Sequence, residues 1–364
     1  MIYFDNAASA KPCHDAINAF NDCARAHFAN PSALHSAGIG AEKIINAAKK
    51  TILSKLSHGT NGDLLFTSGG TESNNLALLG LRAKQGKIIT TSLEHPSVAE
   101  PLTELEKRGF EVIRLSPVQG ESFEEKIIAA VDDKVVLISV MAVNNETGFI
   151  IDTPKIYTAV KRKFPNVLLH TDAAQGFMKV PVNGDLISLS AHKIHGIKGA
   201  GALFLRENVR MNPLFFGGGQ QKNLRPGTEP AELISAFGAA VGSFVYEHEY
   251  FTKLSEKLKQ LLDDLSGVND IKYNSREHIP SIVNFSVRGI KSEVLLHFFA
   301  ENGIYISSGS ACARGKKSKS LLAFGVSEKD ADSALRLSFS SGNTTDEIEK
   351  FIEVLKAGIK RFGR

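Results

Sequence analysis

The sequence predicts an α/β protein with a mostly parallel sheet, followed by a smaller α+β region. Short apolar runs alternate with segments of helical periodicity between about residues 60 and 210, which is typical of parallel strands joined by helices. After about residue 247, amphipathic segments are mixed with short apolar runs. The length of 364 residues also exceeds one ordinary core. We therefore expect a large domain at 15–247 and a small domain formed by 1–14 and 248–364.

Seven short apolar runs of the first region are predicted to be strands. In chain order they are LLFT (64–67), KIITTS (87–92), FEVIRL (110–115), VVLISV (135–140), VLLHTD (167–172), DLISLS (185–190) and ALFLR (202–206). Segments with helical periodicity lie between several of them, among them 71–84 and 97–109. The last three runs leave little room for helices, so we expect that part of the sheet to depart from simple strand–helix–strand order.

The second region begins with an amphipathic helix predicted over 249–267. Its apolar stripe consists of Leu254, Leu258, Leu261, Leu262 and Leu265. Two further helices are predicted near 291–302 and 345–362, with short apolar runs before and between them. This mixture indicates a smaller α+β domain.

Composition and charge argue against several classes of protein. The formal net charge of +4 is small for 364 residues, whereas nucleic-acid-binding proteins usually carry a strong basic excess. No apolar run reaches the roughly 18 residues that a membrane-spanning helix needs, and the start MIYFDNAASAKP lacks the pattern of a signal peptide. The three cysteines are few, odd in number and not spaced as metal ligands. We expect a cytoplasmic protein with neither a disulfide framework nor a metal site.

A lysine that could act in catalysis lies in SLSAHKIHGIKGAGALF (188–204). The predicted strand delivers Ser190, His192 and Lys193 close together at its end. Such a lysine forms a Schiff base with a carbonyl compound when its surroundings lower its pKa. An ordinary lysine in a surface loop is the alternative. The glycines of this segment precede a strand and do not open a helix, so they do not match a dinucleotide-binding loop.

In VLLHTDAAQ (167–175), the carboxylate of Asp172 directly follows a mainly apolar run. Burying Asp172 is costly unless it has a cationic or hydrogen-bonding partner. A protonated pyridine nitrogen is such a partner, and the carboxylate would keep the ring able to accept electrons. The alternative is an aspartate that caps the following helix.

Three other positions carry weaker signals. The segment LLFTSGGTESNNLALL (64–79) reads as a strand, a turn and a helix start, where backbone N–H groups and the Thr71 hydroxyl suit a phosphate. Many α/β turns share this pattern, so it is a weak signal for a phosphate site. His95 follows a strand end, where an imidazole can stack on an aromatic ring or move protons. The alternative for His95 is a structural histidine, and the alternative for Asn145 of VNNETG (143–148) is a turn residue.

The last candidate is the cysteine of IYISSGSACARGKKSK (304–319). Cys312 lies among serines, glycines and charged residues and not on an apolar stripe. The nearby Arg314, Lys316 and Lys317 would favour its thiolate, and an exposed thiolate is a nucleophile. A tolerated surface cysteine is the alternative.

Taken together and in this order, these segments resemble the cysteine desulfurases within the class V aminotransferase family of pyridoxal-phosphate enzymes. The resemblance runs essentially from end to end of the chain. It implies the type I fold of these enzymes, with a mainly parallel seven-stranded sheet flanked by helices in the large domain and a smaller α+β domain. The matching motifs are YFDNAAS, NPSALH, TSGGTESNNLAL, EHPSV, VNNETG, HTDAAQ, SAHKIHGIKGAGALF, GGGQQKNLRPGTEP, SSGSACA and LRLSFS.

The resemblance implies a site for pyridoxal 5'-phosphate. Lys193 would bind the cofactor covalently, and Asp172 would pair with its pyridine nitrogen. Gln175 would pair with the phenolic oxygen, and His95 would stack on the ring. The remaining residues that it implies for cofactor binding are Gly70, Thr71, Asn145, Ser190, His192 and Thr228, the last reaching the phosphate of the neighbouring subunit in a homodimer.

The resemblance also implies a reaction, in which L-cysteine gives L-alanine and a persulfide. Asn145 and Arg336 would bind the substrate carboxylate, a task that suits the planar fork of arginine. The freed amine of Lys193 would remove the Cα proton, and His95 would assist the proton transfers. The thiolate of Cys312 would attack the substrate sulfur, which then passes to an acceptor protein.

Several alternatives stay open. Selenocysteine lyase and other class V activities share most of these residues, although a transaminase has no need of Cys312. A cofactor-free scaffold is a further alternative, against which the joint presence of Lys193, Asp172 and Cys312 counts. The short basic cluster KKSK (316–319) lacks interleaved aromatics, so we expect no nucleic-acid partner. The acceptor is open between an iron–sulfur scaffold and a tRNA-thiolation enzyme or sulfur carrier, partly because the Cys312 loop is a residue or two shorter than in related housekeeping enzymes.

Overall fold

The computed structural model describes residues 1–56, 61–118, 120–266, 271–308 and 318–363. These form two compact units. The larger unit consists of Lys11–Ala142 and Ile151–Val245, and the smaller of Met1–Ala10, Val143–Ile150 and Tyr246–Arg364. The segment Val143–Ile150, which the sequence-based boundaries assign to the large domain, therefore groups with the smaller unit. Those boundaries stay a prediction, because compactness does not test which part folds by itself.

Strands and helices alternate along much of the chain. The strands are β1 (Ile2–Tyr3), β2 (Gly62–Thr67), β3 (Lys87–Thr91), β4 (Glu111–Leu115), β5 (Val135–Met141), β6 (Leu168–Asp172), β7 (Leu186–Ser190), β8 (Gly201–Arg206), β9 (Ile271–Tyr273), β10 (Ile282–Val287), β11 (Ile304–Tyr305), β12 (Ser307–Ser308) and β13 (Ala334–Ser338). The helices are α1 (His14–Ala26), α2 (Ser36–Ser54), α3 (Gly70–Leu79), α4 (Pro96–Lys107), α5 (Phe123–Ala129), α6 (Thr153–Lys163), α7 (Ala231–Ser243), α8 (His248–Ser266), α9 (Ser292–Glu301), α10 (Lys319–Ala323), α11 (Glu328–Asp332) and α12 (Thr345–Phe362). Short 3-10 turns span Ala191–Lys193 and Gln220–Asn223.

The larger unit is built on a seven-stranded sheet of order β2-β8-β7-β6-β5-β3-β4. The neighbours β7, β6, β5, β3 and β4 pair in parallel, whereas β8 is antiparallel to both β7 and β2. All seven runs predicted as strands lie in this sheet, so the predicted fold class is confirmed. The expected departure from strand–helix–strand order occurs at β8, which follows β7 after a short connection and pairs with it in the antiparallel direction.

One helix boundary was wrong. The helix expected over 71–84 ends at Leu79, and the N–H of Gly80 donates to the carbonyl of Leu76 over 3.0 Å. Beyond it, Leu81 pairs with Met211 as an isolated bridge. The periodicity of the leucines continues past Leu79, but this tertiary pairing draws the chain away from the helix. The helix expected over 97–109 corresponds to α4.

The smaller unit has a four-stranded antiparallel sheet, β12-β13-β10-β9, and the parallel pair β1-β11. Leu254, Leu258 and Leu262 of α8 are fully buried, and Leu261 packs against the same core as a partly buried residue. In this core the rings of Phe299 and Phe351 stack with their centroids 4.7 Å apart. The predicted α+β character of this region is confirmed. Across the described ranges, no helix is long and apolar enough to cross a membrane.

Candidate active site

Three elements of the larger unit meet at the carboxyl end of the sheet. Asp172 ends β6 and Ser190 ends β7, and these strands are parallel neighbours, so both residues lie at the same edge. A Cβ placed on Gly70, the first residue of α3, would lie 3.5 Å from the Cβ of Ser190 and 3.7 Å from that of Ala174. The start of α3, with the exposed Thr71, is therefore directly beside both strand ends, where its N–H groups suit a phosphate.

Asp172 is buried, with 6% of its surface exposed. Its Oδ1 accepts a hydrogen bond from the N–H of Ala174, and its Oδ2 accepts one from the side-chain amide of Asn74, both over 2.9 Å. Both of these donors are neutral dipoles. No described α-helix begins directly after β6, so the carboxylate is not a helix cap. A cationic ring nitrogen is a partner that would complement such a buried carboxylate.

Lys193 is the last residue of the 3-10 turn that follows β7, and it is partly buried. Burial lowers the pKa of the adjacent His192 to about 4, and the charges of Lys193 and Lys198 add to this. The His192 imidazole is therefore neutral near pH 7. It can accept or donate a hydrogen bond without placing a second positive charge beside the Lys193 amine.

His95 precedes α4 and caps it. Its Nδ1 accepts a hydrogen bond from the N–H of Ser97 over 3.1 Å. Burial lowers the pKa of His95, the negative charge of Asp172 opposes this, and the positive charge of Lys193 reinforces it. The three residues therefore lie near one another. The structural alternative for His95 is therefore correct in that one ring nitrogen caps the helix, whereas its role in the candidate site stays a prediction.

Gln175 is buried, with 4% of its surface exposed, and its Oε1 accepts a hydrogen bond from Lys179 Nζ over 3.3 Å. Burial lowers the pKa of Lys179 to about 7, and the charge of Lys193 contributes. Because Oε1 accepts from Lys179, a bond from Gln175 to a phenolate oxygen would come from its Nε2 donor. This arrangement fits the role that the family resemblance implies for Gln175.

The larger unit also contains a buried acid that sequence reasoning missed. The Oε1 of Glu94 accepts hydrogen bonds from the Thr91 hydroxyl over 2.6 Å and from the N–H of Met141 over 3.0 Å. Burial raises the pKa of Glu94 to about 8, and the charge of Asp172 contributes. Glu94 is therefore predominantly protonated near pH 7.

In the smaller unit, Arg336 is almost completely buried, with 1% of its surface exposed. Its Nη1 donates to the backbone carbonyl of Asn145 over 2.7 Å, and its Nη2 donates to Oδ1 of Asp5 over 2.6 Å. The structure thus brings together Arg336 and Asn145, the two residues expected to bind a carboxylate. Sequence reasoning missed Asp5, although it belongs to the motif YFDNAAS.

Glu146 follows Asn145 and is bonded to Ser318, the first described residue after the segment 309–317 that contains Cys312. The Ser318 hydroxyl donates to Oε2 of Glu146 and also caps α10 by accepting from the N–H of Leu321. Burial raises the pKa of Glu146 to about 7, while bonds from Ser318 and Ser320 and the charge of Arg336 oppose the rise. Sequence reasoning missed this acid, although it belongs to the motif VNNETG.

Two of the expected residues remain, Thr228 and Cys312. Thr228 is exposed in the larger unit, which agrees with the role at a neighbouring subunit that the family resemblance implies. Cys312 lies in 309–317, outside the described residues. The other two cysteines have structural positions, since Cys13 caps α1 and Cys23 is buried within it.

The residues of the larger unit fit pyridoxal 5'-phosphate. A buried carboxylate with neutral partners suits the ring nitrogen, and a nearby lysine suits the aldehyde. The helix start at Gly70, with Ser190 beside it, suits the phosphate. Sequence reasoning missed Asn74 and Ser97, which connect Asp172 to His95; their positions inside TESNN and EHPSV were the available signal.

Comparison with known proteins gives one consistent result. A family described as aminotransferase class V matches residues 2–351. The chain is 36% identical over 384 residues to the "NifS/IcsS protein homolog" of Lactobacillus delbrueckii subsp. bulgaricus, with 100% of this chain and 98% of that protein covered. It is 35% identical over 383 residues to "Cysteine desulfurase IscS" of Clostridium botulinum, covering 99% and 95%. Among solved structures, a "NifS-like protein" superposes with a TM-score of 0.88 at 30% identity over 99% of both chains.

Proposed function

The chain belongs to the class V aminotransferase family, and from this premise we propose that it is a pyridoxal-phosphate-dependent cysteine desulfurase. It converts L-cysteine to L-alanine and retains the sulfur as a persulfide on Cys312. The observation that carries the proposal is the buried Asp172, which ends the strand beside the one that leads to Lys193 and is joined to His95 through hydrogen bonds of Asn74 and Ser97. Among the reactions of this cofactor family, Cys312 in SSGSACA favours sulfur transfer, because a transaminase has no need of that cysteine.

The roles of the side chains follow from their positions. The cofactor, when bound, supplies an electron sink. Lys193 would hold it, and its amine would take the proton from the substrate Cα. Asp172 would keep the ring nitrogen protonated, and Gln175 would donate to the phenolic oxygen. The start of α3 at Gly70, with the side chains of Thr71, Ser190 and His192, holds the phosphate.

The substrate is held and attacked by residues of the smaller unit. Arg336 and Asn145 bind its carboxylate. The Cys312 thiolate attacks the substrate sulfur, so that an S–S bond forms and the substrate C–S bond breaks. The electron pair of the broken bond remains on the β-carbon, which is then protonated to give alanine. Cysteine and enzyme thiol thus give alanine and enzyme persulfide with no other reactant consumed.

The assembly and partners are part of the same proposal. The protein is a cytoplasmic homodimer in which Thr228 completes the phosphate site of the partner subunit. The exposure of Thr228 supports this. The persulfide sulfur passes to an acceptor protein that serves iron–sulfur cluster assembly or thiolation of tRNA or a cofactor.

The test uses purified protein loaded with pyridoxal 5'-phosphate. With L-cysteine and a thiol reductant, we expect alanine and sulfide in equal amounts. Without reductant, one alkylatable persulfide should form on each Cys312. Cys312→Ser should keep the visible absorption of the bound cofactor and lose both products, whereas the control Cys13→Ser should keep them. Alanine release without sulfide, or a persulfide in Cys312→Ser, would overturn the proposal.

A further inference from the structure

A chain of hydrogen bonds inside the larger unit joins Asp172 to His95. The side-chain amide of Asn74 donates to Oδ2 of Asp172 over 2.9 Å and to Oγ of Ser97 over 2.9 Å. Oγ of Ser97 lies 2.8 Å from Nδ1 of His95. Asn74, Ser97 and Asp172 are 1%, 8% and 6% exposed, so bulk water does not compete for these bonds.

Asp172 determines which atoms donate and which accept in this series of hydrogen bonds. An ionised carboxylate only accepts hydrogen bonds, so Asn74 must present its amide nitrogen to Asp172. The amide nitrogen has two N–H groups, one for Asp172 and one for Ser97. The backbone N–H of Ser97 can only donate, and it donates to Nδ1 of His95, so Nδ1 carries no proton and the Ser97 hydroxyl donates to the same atom.

Nδ1 of His95 is consequently an acceptor from two donors. It receives the Ser97 hydroxyl over 2.8 Å and the Ser97 backbone N–H over 3.1 Å. A neutral imidazole whose Nδ1 accepts must carry its proton on Nε2. Protonating Nδ1 would break the bond from the Ser97 N–H, which caps α4, and would force the Ser97 hydroxyl to change from donor to acceptor, so the network selects one tautomer and disfavours the cation.

We propose that Asn74 and Ser97 are positioning residues that hold His95 as a neutral imidazole with its proton on Nε2. In the proposed desulfurase reaction, His95 is then a hydrogen-bond donor at Nε2 and not a base. The Lys193 amine is left to carry the proton transfers. This catalytic consequence rests on the proposed function, whereas the tautomer does not.

The tautomer is measured directly in the full-length protein loaded with pyridoxal 5'-phosphate. Two-bond 1H–15N correlation spectra of protein labelled at histidine nitrogen report which ring nitrogen carries the proton, and the His95 signals are assigned by their loss in His95→Gln. We expect a protonated Nε2 and an accepting Nδ1 in the unaltered protein. In Ser97→Ala the Nδ1 resonance should move toward that of a nitrogen with fewer hydrogen bonds, and Ser97→Thr should restore it.

Ser92→Ala is the matched control. The Ser92 hydroxyl bonds to Ser116 and to the carbonyl of Leu115 at the end of the neighbouring strand, so its removal should leave the His95 signals unchanged. A protonated Nδ1 in the unaltered protein, or identical His95 signals in Ser97→Ala, would overturn the inference even if the protein is an active desulfurase. Failure of desulfurase activity alone would overturn only the proposed function.

A kinetic measurement tests the consequence for the reaction. Removing one neutral hydrogen bond from the network should lower kcat about threefold to tenfold in Ser97→Ala. KM for L-cysteine should change little, because Ser97 contacts His95 and not the proposed carboxylate site. Recovery of kcat in Ser97→Thr supports the positioning role. A loss of kcat that Ser97→Thr does not restore would contradict it.

Discussion

Asp5 and Arg336 form an ion pair in the smaller unit, with Nη2 and Oδ1 2.6 Å apart. The Arg336 side chain is 2% exposed and that of Asp5 is 21% exposed. Together with the carbonyl of Asn145, Asp5 fixes the plane of the guanidinium group. The Nε of Arg336 is buried and has no hydrogen-bond partner in the described part of the chain. The guanidinium group of Arg336 is therefore oriented by residues 191 and 331 positions away in sequence.

The first prediction concerns the stability that this pair provides. Asp5→Ala should lower the free energy of unfolding by about 3 kcal/mol, because it leaves a buried guanidinium charge without its counter-charge. Asp5→Asn retains an oxygen acceptor and should cost less, roughly 1 to 2 kcal/mol. Urea unfolding followed by circular dichroism measures both, since the chain has no tryptophan. Asp264→Ala, an exposed position of α8, is the control, and an equal loss there would contradict the prediction.

The second prediction concerns the substrate carboxylate. Arg336→Lys should raise KM for L-cysteine about tenfold to a hundredfold, because an ammonium group cannot form the paired bonds of the planar fork. The visible absorption of the bound cofactor should change little, since Lys193, Asp172 and Gln175, the residues proposed to contact its ring, lie in the larger unit. The matched control is Arg288→Lys, which alters another arginine–aspartate pair of the smaller unit. An unchanged KM in Arg336→Lys would exclude Arg336 as the carboxylate site.

The third prediction concerns Glu94 and pH. In the unfolded chain a glutamate loses its proton near pH 4.5, whereas in the folded protein burial raises the pKa of Glu94 to about 8. The folded state thus holds one more proton across this range, and the stability present below pH 4.5 is lost as the pH rises toward about 8. Glu94→Gln mimics the neutral acid, so its free energy of unfolding should not show this decrease as the pH rises.

The measurement for Glu94 is urea unfolding of the protein and of Glu94→Gln at several pH values. The stability of Glu94→Gln relative to the unaltered protein should increase steadily between about pH 5 and about pH 8. Glu100→Gln, an exposed position of α4, should show no such trend. A constant difference between Glu94→Gln and the unaltered protein would mean that Glu94 is ionised in the folded state.

The sequence predicts the sheet of this protein better than the contacts of its site. Every strand of the large sheet was visible as an apolar run, because burial imposes that pattern locally. The end of α3 at Leu79 could not be predicted from the local sequence, because it depends on the pairing of Leu81 with Met211, which joins distant parts of the chain. Asn74 and Ser97 were missed for a similar reason: their importance lies in which atoms they connect, and no spacing along the chain reports that.

The last prediction concerns the attachment of the segment that carries Cys312. Ser318, the first described residue after that segment, donates its hydroxyl proton to Glu146 and caps α10. Glu146 in turn accepts a hydrogen bond at its backbone carbonyl from the side chain of Asn284 over 3.0 Å. These bonds connect Ser318, at the start of α10, to the strand β10. Losing them should displace the Cys312 thiolate from the substrate sulfur.

Glu146→Ala should therefore slow single-turnover persulfide formation about tenfold to a hundredfold, the cost of a displacement of about 1 Å in a reacting group. Glu146→Gln, which keeps an oxygen acceptor for Ser318, should fall between Glu146→Ala and the unaltered protein. Ser318→Ala should resemble Glu146→Ala, whereas Ser327→Ala removes the comparable cap of α11 and should leave the rate unchanged. Persulfide formation at the full rate in Glu146→Ala would show that the segment needs no such anchor, because the thiolate would then reach the sulfur without it.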